Sequence, residues 1–266
     1  MTTTLLTHEW LRTRSMLGYV VGIAALVVGV AILLIFSGWP VIAELGFLIG
    51  VITIAVLAPA LQLLLVADFW RSSYSRTGYF THSLPIRGGK IYAAKLLWAF
   101  AVTLAGLVVS LALLAAFWPA AASLSGIEAN PFTVAGHLWA QLTAVAPPSL
   151  VIGMGLLFLA MYLIWPVQYY FAVSIGSEGR LNRLGLGGPV LVFVGLYMAS
   201  QVILLLSMLA IPVGLDMASD RLALVPFNFL TDTDVMPLGM FPVLLLIAVL
   251  CLVRTVWSWN RKISLA

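Results

Sequence analysis

Two short stretches carry the residue types of a catalytic or nucleotide-binding motif. "HEWLR" starts at His8 with the His-Glu pair of a zinc-protease helix. There, two histidines one turn apart ligate the metal and the glutamate acts as general base. Arg12 stands where the second histidine is needed, so the stretch is a chance match. "PIRGGKIY", Pro85–Tyr92, sets Gly88 and Gly89 before Lys90. A phosphate-binding loop needs G-x-x-x-x-G-K-[ST], so that backbone amides wrap the phosphates and a hydroxyl reaches magnesium. Leu84 takes the first glycine position and Ile91 the hydroxyl position, and the motif fails at both. No Gly-x-Ser-x-Gly is present, and no carboxylate pair lies inside an apolar run. The single cysteine, Cys251, excludes an intramolecular disulfide and a cysteine metal cluster. It sits in an apolar run and reads as a small buried or lipid-facing residue. A nucleophile or metal-bound water with a base in reach cannot be assembled. The chain is therefore predicted not to be an enzyme by itself, and to bind no metal or cofactor.

The elements that would position any such residues are apolar. The chain is 63% hydrophobic and 8% charged, with a mean hydropathy of +1.13. Soluble domains carry roughly 25% charged residues, so a single membrane domain over residues 1–266 is expected. A bilayer-crossing helix needs about 20 mostly apolar residues. Six stretches qualify, at about 17–36, 45–67, 96–118, 147–165 (with a continuation towards Ser174), 189–212 and 239–257. Backbone groups must pair within each segment in lipid, and these unalternating runs predict helices rather than barrel strands. The first run exceeds the apolar core of a signal peptide, about 7–15 residues, and reads as a retained span. The fold class predicted is an all-α polytopic membrane protein.

Basic residues orient the spans. With the N-terminus inside, Arg12, Arg14, Arg71, Arg76, Arg87, Lys90, Lys95, Arg180, Arg183, Arg254, Arg261 and Lys262 fall on the cytoplasmic side, leaving only Arg221 outside. Arg254 is placed to snorkel from the inner end of the last span. Glu44, Glu128, Asp216, Asp220, Asp232 and Asp234 fall outside, and His82 and His137 lie on opposite sides. Both termini are thus expected in the cytoplasm, and the pI near 9.4 reflects membrane orientation rather than nucleic-acid binding. Leu6, Trp10 and Leu17 follow helical spacing in a segment that suits a short amphipathic helix on the inner leaflet. Trp39, Trp118, Trp165, Trp257 and Trp259 fall near span ends, as interfacial aromatics do. Gly18/Gly22 and Gly46/Gly50 are small-xxx-small pairs suited to close helix approach. The outer segment 213–238 contains "RLALVPFNFLTDTD", too short to span but of a length for an interfacial or re-entrant helix.

Polarity inside the spans is sparse. Gln62 and Gln201 are candidates for a polar pathway or an interhelical hydrogen bond, with hydroxyls at Thr53, Ser110 and Ser200. An ion-coupled carrier usually shows a charge near the midplane, and none is found there. No internal repeat is evident, which argues against an inverted-repeat carrier. Polar residues concentrate instead between the second and third spans, in "DFWRSSYSRTGYFTHSLPIRGGKIYAAK", Asp68–Lys95. Trp70, Tyr74, Thr77, Phe80 or Thr81, and Leu84 follow helical spacing, while Arg71, Ser75, Gly78 and His82 occupy another face. Pro85 ends that helix, and Gly88-Gly89 permits a turn into the third span. A short polar helix held at the membrane surface is a docking element for something soluble.

"RTGYFTHSLPIRGGKIYAAKLLWAF" resembles the first cytoplasmic loop of bacterial permease subunits of type-2 ABC exporters. Leu84, Pro85, Arg87 and Lys95 match that family's hydrophobic–Pro–basic turn and following lysine. The six-span layout and the short loop "SIGSEGRLNRLGLGG" extend the similarity along the chain. The resemblance implies two facing permeases, identical or paralogous, each docked on one of two cytoplasmic ATP-binding subunits. ATP and magnesium would reside on that partner. A coupling helix would engage it through Arg71, Arg76, Thr77, Tyr79, Phe80, His82, Leu84, Pro85 and Arg87, with Glu178, Arg180 and Arg183 in the second cytoplasmic loop. The arginines would meet acidic groove residues, and Tyr79, Phe80 and Leu84 would be apolar anchors. The function expected is ATP-driven export of an amphipathic or hydrophobic substrate (drug, antimicrobial peptide or lipid-like) across a bacterial cytoplasmic membrane, with lipid as a further partner and no nucleic acid. The alternative is a non-transporting scaffold or sensor subunit whose basic loop binds a soluble protein.

Overall fold

The computed structural model describes residues 2–75, 86–216, 223–228 and 235–261. The helices are α1 (Thr2–Ile35), α2 (Pro40–Tyr74), α3 (Gly88–Ser125), α4 (Pro131–Val145), α5 (Pro148–Gly176), α6 (Gly187–Ala210) and α7 (Met240–Arg261), with a 3-10 turn at Gly179–Leu184. All but α4 are long and apolar enough to cross a bilayer, and each contains one of the runs predicted from sequence to within two residues at its ends. At about 1.5 Å per residue, the 24 residues of α6 reach about 36 Å, more than the roughly 30 Å hydrocarbon core. The chain is a multi-pass membrane protein.

Several expectations change at the helix ends. The segment read as a separate amphipathic helix is the start of α1, which runs unbroken for 34 residues. No proline interrupts it, and the Thr13 hydroxyl donates to the Glu9 carbonyl at 2.8 Å, inside the helix. α3 passes through Pro119 to Ser125, and α5 passes through Pro166 to Gly176. Each proline removes one backbone donor, and both helices continue past it. The α3–α4 turn is tied down by the Trp118 Nε1–H, which donates to the Glu128 carbonyl at 2.9 Å.

Segment 213–238, expected to hold an interfacial or re-entrant helix, forms strands in its described part. Strands β1 (Val213–Asp216), β2 (Ala223–Pro226) and β3 (Val235–Pro237) form an antiparallel sheet in the order β2-β1-β3. Val213 faces Pro226 and Gly214 faces Pro237. Prolines at both strand ends stop a helix from forming and fit the edges of a short sheet. Among the described residues, the regular structure is helical apart from this sheet.

Two compact units make up the chain, Met1–Asp68 with Ala93–Trp139, and Phe69–Tyr92 with Ala140–Ala266. In the first, Val28, Ala31 and Ile35 of α1 pack on Ile54 of α2 and on Phe117 and Ala120 of α3. Gly46 lets α2 approach the α1 backbone, where a Cβ would sit 2.7 Å from the Ala31 carbonyl oxygen. A Cβ at Gly50 would collide with the Phe117 ring. This glycine pair therefore works as predicted for close approach. Gly18 and Gly22 face open space, with no atom within 4 Å of a built Cβ. In the second unit, α5 packs on α6 and α7, which also touch each other.

Candidate functional site

The segment singled out by sequence joins α2 to α3, and both of its described flanks are fastened within the second unit. Phe69, on the last turns of α2, stacks on Tyr170 of α5 with ring centroids 4.0 Å apart and planes 4° from parallel. It also lies 5.8 Å from Trp259 of α7 and 6.4 Å from Tyr92 of α3. Tyr92 and Tyr74 meet Trp259 at 6.0 and 6.1 Å. Phe69, Tyr92, Tyr170 and Trp259 are all buried. Trp259 is held further by its Nε1–H, which donates to Ser174 Oγ at 3.2 Å. Aromatic pairs contribute about 0.5–1.5 kcal/mol each beyond area burial, so several sharing one tryptophan make a stiff node. Trp259 is therefore not an interfacial aromatic, as its place near a span end implied. It is the core of the anchor.

The glycine pair serves the same anchor. Gly88 and Gly89 open α3 instead of forming a turn, and neither has a positive φ. A Cβ at Gly88 would clash with the Trp259 backbone carbonyl, whereas at Gly89 it would lie 3.2 Å from Asn260 Oδ1. The Gly89 N–H donates to that same oxygen at 3.1 Å, satisfying one of the unpaired donors at the start of α3. Absence of a side chain is thus needed for close approach, not for backbone freedom.

The second loop is fastened in parallel. Glu178 precedes the 3-10 turn, and both of its carboxylate oxygens accept from Arg254 of α7, at 3.2 and 3.0 Å. Ser258 donates a further hydrogen bond to Oε1. Arg254 also lies over the Trp257 ring, 4.8 Å from its centroid. Arg254, expected to snorkel, is instead half of a bidentate clamp, the geometry in which an arginine pair is strongest. The group clamps the second loop to α7.

The first unit holds a charge network that sequence reading missed. Lys95 of α3 donates to Glu9 Oε1 at 3.0 Å, with side chains 3% and 9% exposed. Arg12 bridges Glu9 Oε2 and Asp68 Oδ2. The Trp98 Nε1–H donates to Thr13 Oγ1 at 3.0 Å, and Trp98 meets Trp10 edge-on at 5.7 Å. The two cations and two anions balance, which is how buried charges become tolerable. Lys95 is consequently buried and unavailable to an external partner. Asp68, which ends the first unit in α2, is followed in the chain by Phe69, which begins the second.

Of the predicted docking residues, Arg71 and Arg87 are exposed in the second unit, as is Arg183 in the second loop. Of the stretch read as a coupling helix, Arg71–Tyr74 is the last turn of α2. Arg76, Thr77, Tyr79, Phe80, His82, Leu84 and Pro85 lie outside the described residues. Arg180 falls in the 3-10 turn. Gln62 is buried in the first unit and donates to Thr103 Oγ1 of α3 at 3.4 Å, the interhelical option. Gln201 is exposed on α6, in the second unit. Among the described residues no three His, Cys, Asp or Glu side chains converge. No protein-family model matches the chain, and neither a curated protein nor a solved structure is significantly similar to it.

Proposed function

We propose that the chain is the membrane-spanning permease subunit of an ATP-driven exporter, with its basic-loop end and both termini in the cytoplasm and the ATPase on a separate subunit. The observation that carries this reading is that the chain is fastened on both sides of residues 76–85. The N-terminal flank is fixed through Phe69 and Tyr74, and the C-terminal flank through Gly88, Gly89 and Tyr92. Both reach Trp259 of α7, and the C-terminal flank also reaches Asn260. Helix ends fastened in this way would pass a push on to the spanning helices rather than absorb it. Exposed Arg71 and Arg87 at its borders, and Arg183 on the neighbouring loop, suit an acidic partner surface. The sparse intramembrane charge supports an external energy source, and two facing copies would enclose an amphipathic or hydrophobic cargo.

The test is co-purification from host membranes with an ATP-binding subunit encoded by a neighbouring gene, followed by ATPase assay in lipid. The reading requires a stable complex with hydrolysis that depends on this chain. A chain that associates with no ATP-binding subunit overturns it.

A further inference from the structure

The first unit has an apolar groove of about 460 Å³ between α1 and α3, floored by Leu61 of α2 and open on one side. Leu17, Gly18 and Val21 line one wall, and Ala101, Ala105 and Val109 are among those lining the other. Trp10 and Trp98 stand at one end, and Arg14 is the charged group there. Its neighbour Arg12 is consumed by Glu9 and Asp68, whereas Arg14 is exposed and enters none of the ion pairs among the described residues.

Three features agree on an occupant. The lining residues run from Trp10 to Val21 on α1 and from Trp98 to Val109 on α3. At about 1.5 Å per residue that is roughly 16 Å, half of the roughly 30 Å hydrocarbon core and so the depth of one leaflet. Tryptophans at one end place that end at headgroup level. An exposed arginine beside them offers a planar, permanently charged donor set for a phosphate. Gly18 keeps the wall open, since no atom lies within 4 Å of where its Cβ would be.

We infer that this groove is a binding site for an anionic phospholipid of the adjacent leaflet. One acyl chain lies between α1 and α3, and the headgroup phosphate sits on the Arg14 guanidinium. The assignment requires only that the chain is in a membrane, and it is independent of the exporter reading.

Native mass spectrometry of the full-length protein, taken from bilayers of equal phosphatidylglycerol and phosphatidylcholine, reads the preference directly. Wild type should retain phosphatidylglycerol over phosphatidylcholine by about tenfold. Arg14→Gln should bring that ratio close to one, while Gly18→Leu should lower retention of both lipids by filling the groove. Arg183→Gln, the same charge loss on the exposed second loop, should leave the ratio unchanged. Circular dichroism and unchanged thermal midpoints establish that the variants are folded. Equal retention of the two lipids by wild type overturns the proposal, as does an Arg14→Gln protein that keeps the preference. An equal loss in Arg183→Gln overturns it too, by reducing the effect to net charge. Efficient disulfide dimerisation of a Gly18→Cys, Cys251→Ala protein in membranes would also overturn it, because a second copy would then fill the groove.

Discussion

Replacing Lys95 by methionine tests whether the buried network of the first unit is energetically real. The substitution keeps the length of the side chain and removes its charge. Lys95 is 3% exposed and Glu9 is 9% exposed, so solvent cannot replace the lost partner. Removing one member of a buried pair costs about 3–5 kcal/mol, because the remaining charge stays desolvated. Arg12 still reaches both Glu9 and Asp68, which puts the expected loss at the lower end, about 3 kcal/mol. For chains of this size that corresponds to roughly 6–12 °C in thermal midpoint, at about 2–4 °C per kcal/mol. Glu9→Gln in the Lys95→Met background should restore most of the loss. Neither buried charge then remains, the amide oxygen introduced at position 9 still accepts from Arg12, and an ion pair replaced on both sides is often close to neutral. The assay is a double-mutant cycle on thermal midpoints in mild detergent at one scan rate. Lys95→Met within about 0.5 kcal/mol of wild type, the usual scatter for a neutral surface change, would refute the reasoning. So would a double variant whose loss equals the sum of the two single losses.

Two other perturbations address the anchor. Gly88→Ala should destabilise by about 1–3 kcal/mol, as overpacking does, while Gly89→Ala, which meets only side-chain atoms, should cost less; chemical denaturation of each variant separates them. Glu178→Gln leaves Arg254 without its bidentate charge partner; because Arg254 is 35% exposed, the loss in stability should stay near 1 kcal/mol by the usual scale for half-exposed pairs. Its larger effect should appear as a reduced ATPase rate in the assembled complex, and an unchanged rate would remove the second loop from the coupling path.

How much of this was legible depends on whether the signal was local. Six spans were readable because run length and hydropathy alone define them, and the continuation of α5 past Trp165 was visible as unbroken apolar sequence. Glu9, Asp68 and Lys95 stand far apart in sequence, each next to an apolar run. Their pairing joins positions 86 residues apart for Glu9 and Lys95, which no periodicity can reveal. The usable signal was cost, since a charge at the edge of a span calls for a partner. Trp259 was misassigned for a related reason. Proximity to a span end describes depth in the bilayer but not which way the ring points, and here it points at Phe69 and Ser174. The small sheet escaped because Ala223–Pro226 is a four-residue apolar run, a length at which helix and strand patterns coincide. Gly88 and Gly89 were recognised as special, but the need was for space against Trp259, which exists only in the folded chain.

The central claim is that the segment between α2 and α3 receives force from an ATP-binding partner. The most direct measurement is ATP turnover by the lipid-reconstituted complex carrying Phe80→Ala together with Leu84→Ala, compared with wild type. The account predicts that the doubly substituted chain keeps its spans and thermal midpoint but loses the partner or its chain-dependent hydrolysis. Wild-type association and wild-type turnover in that variant would contradict it.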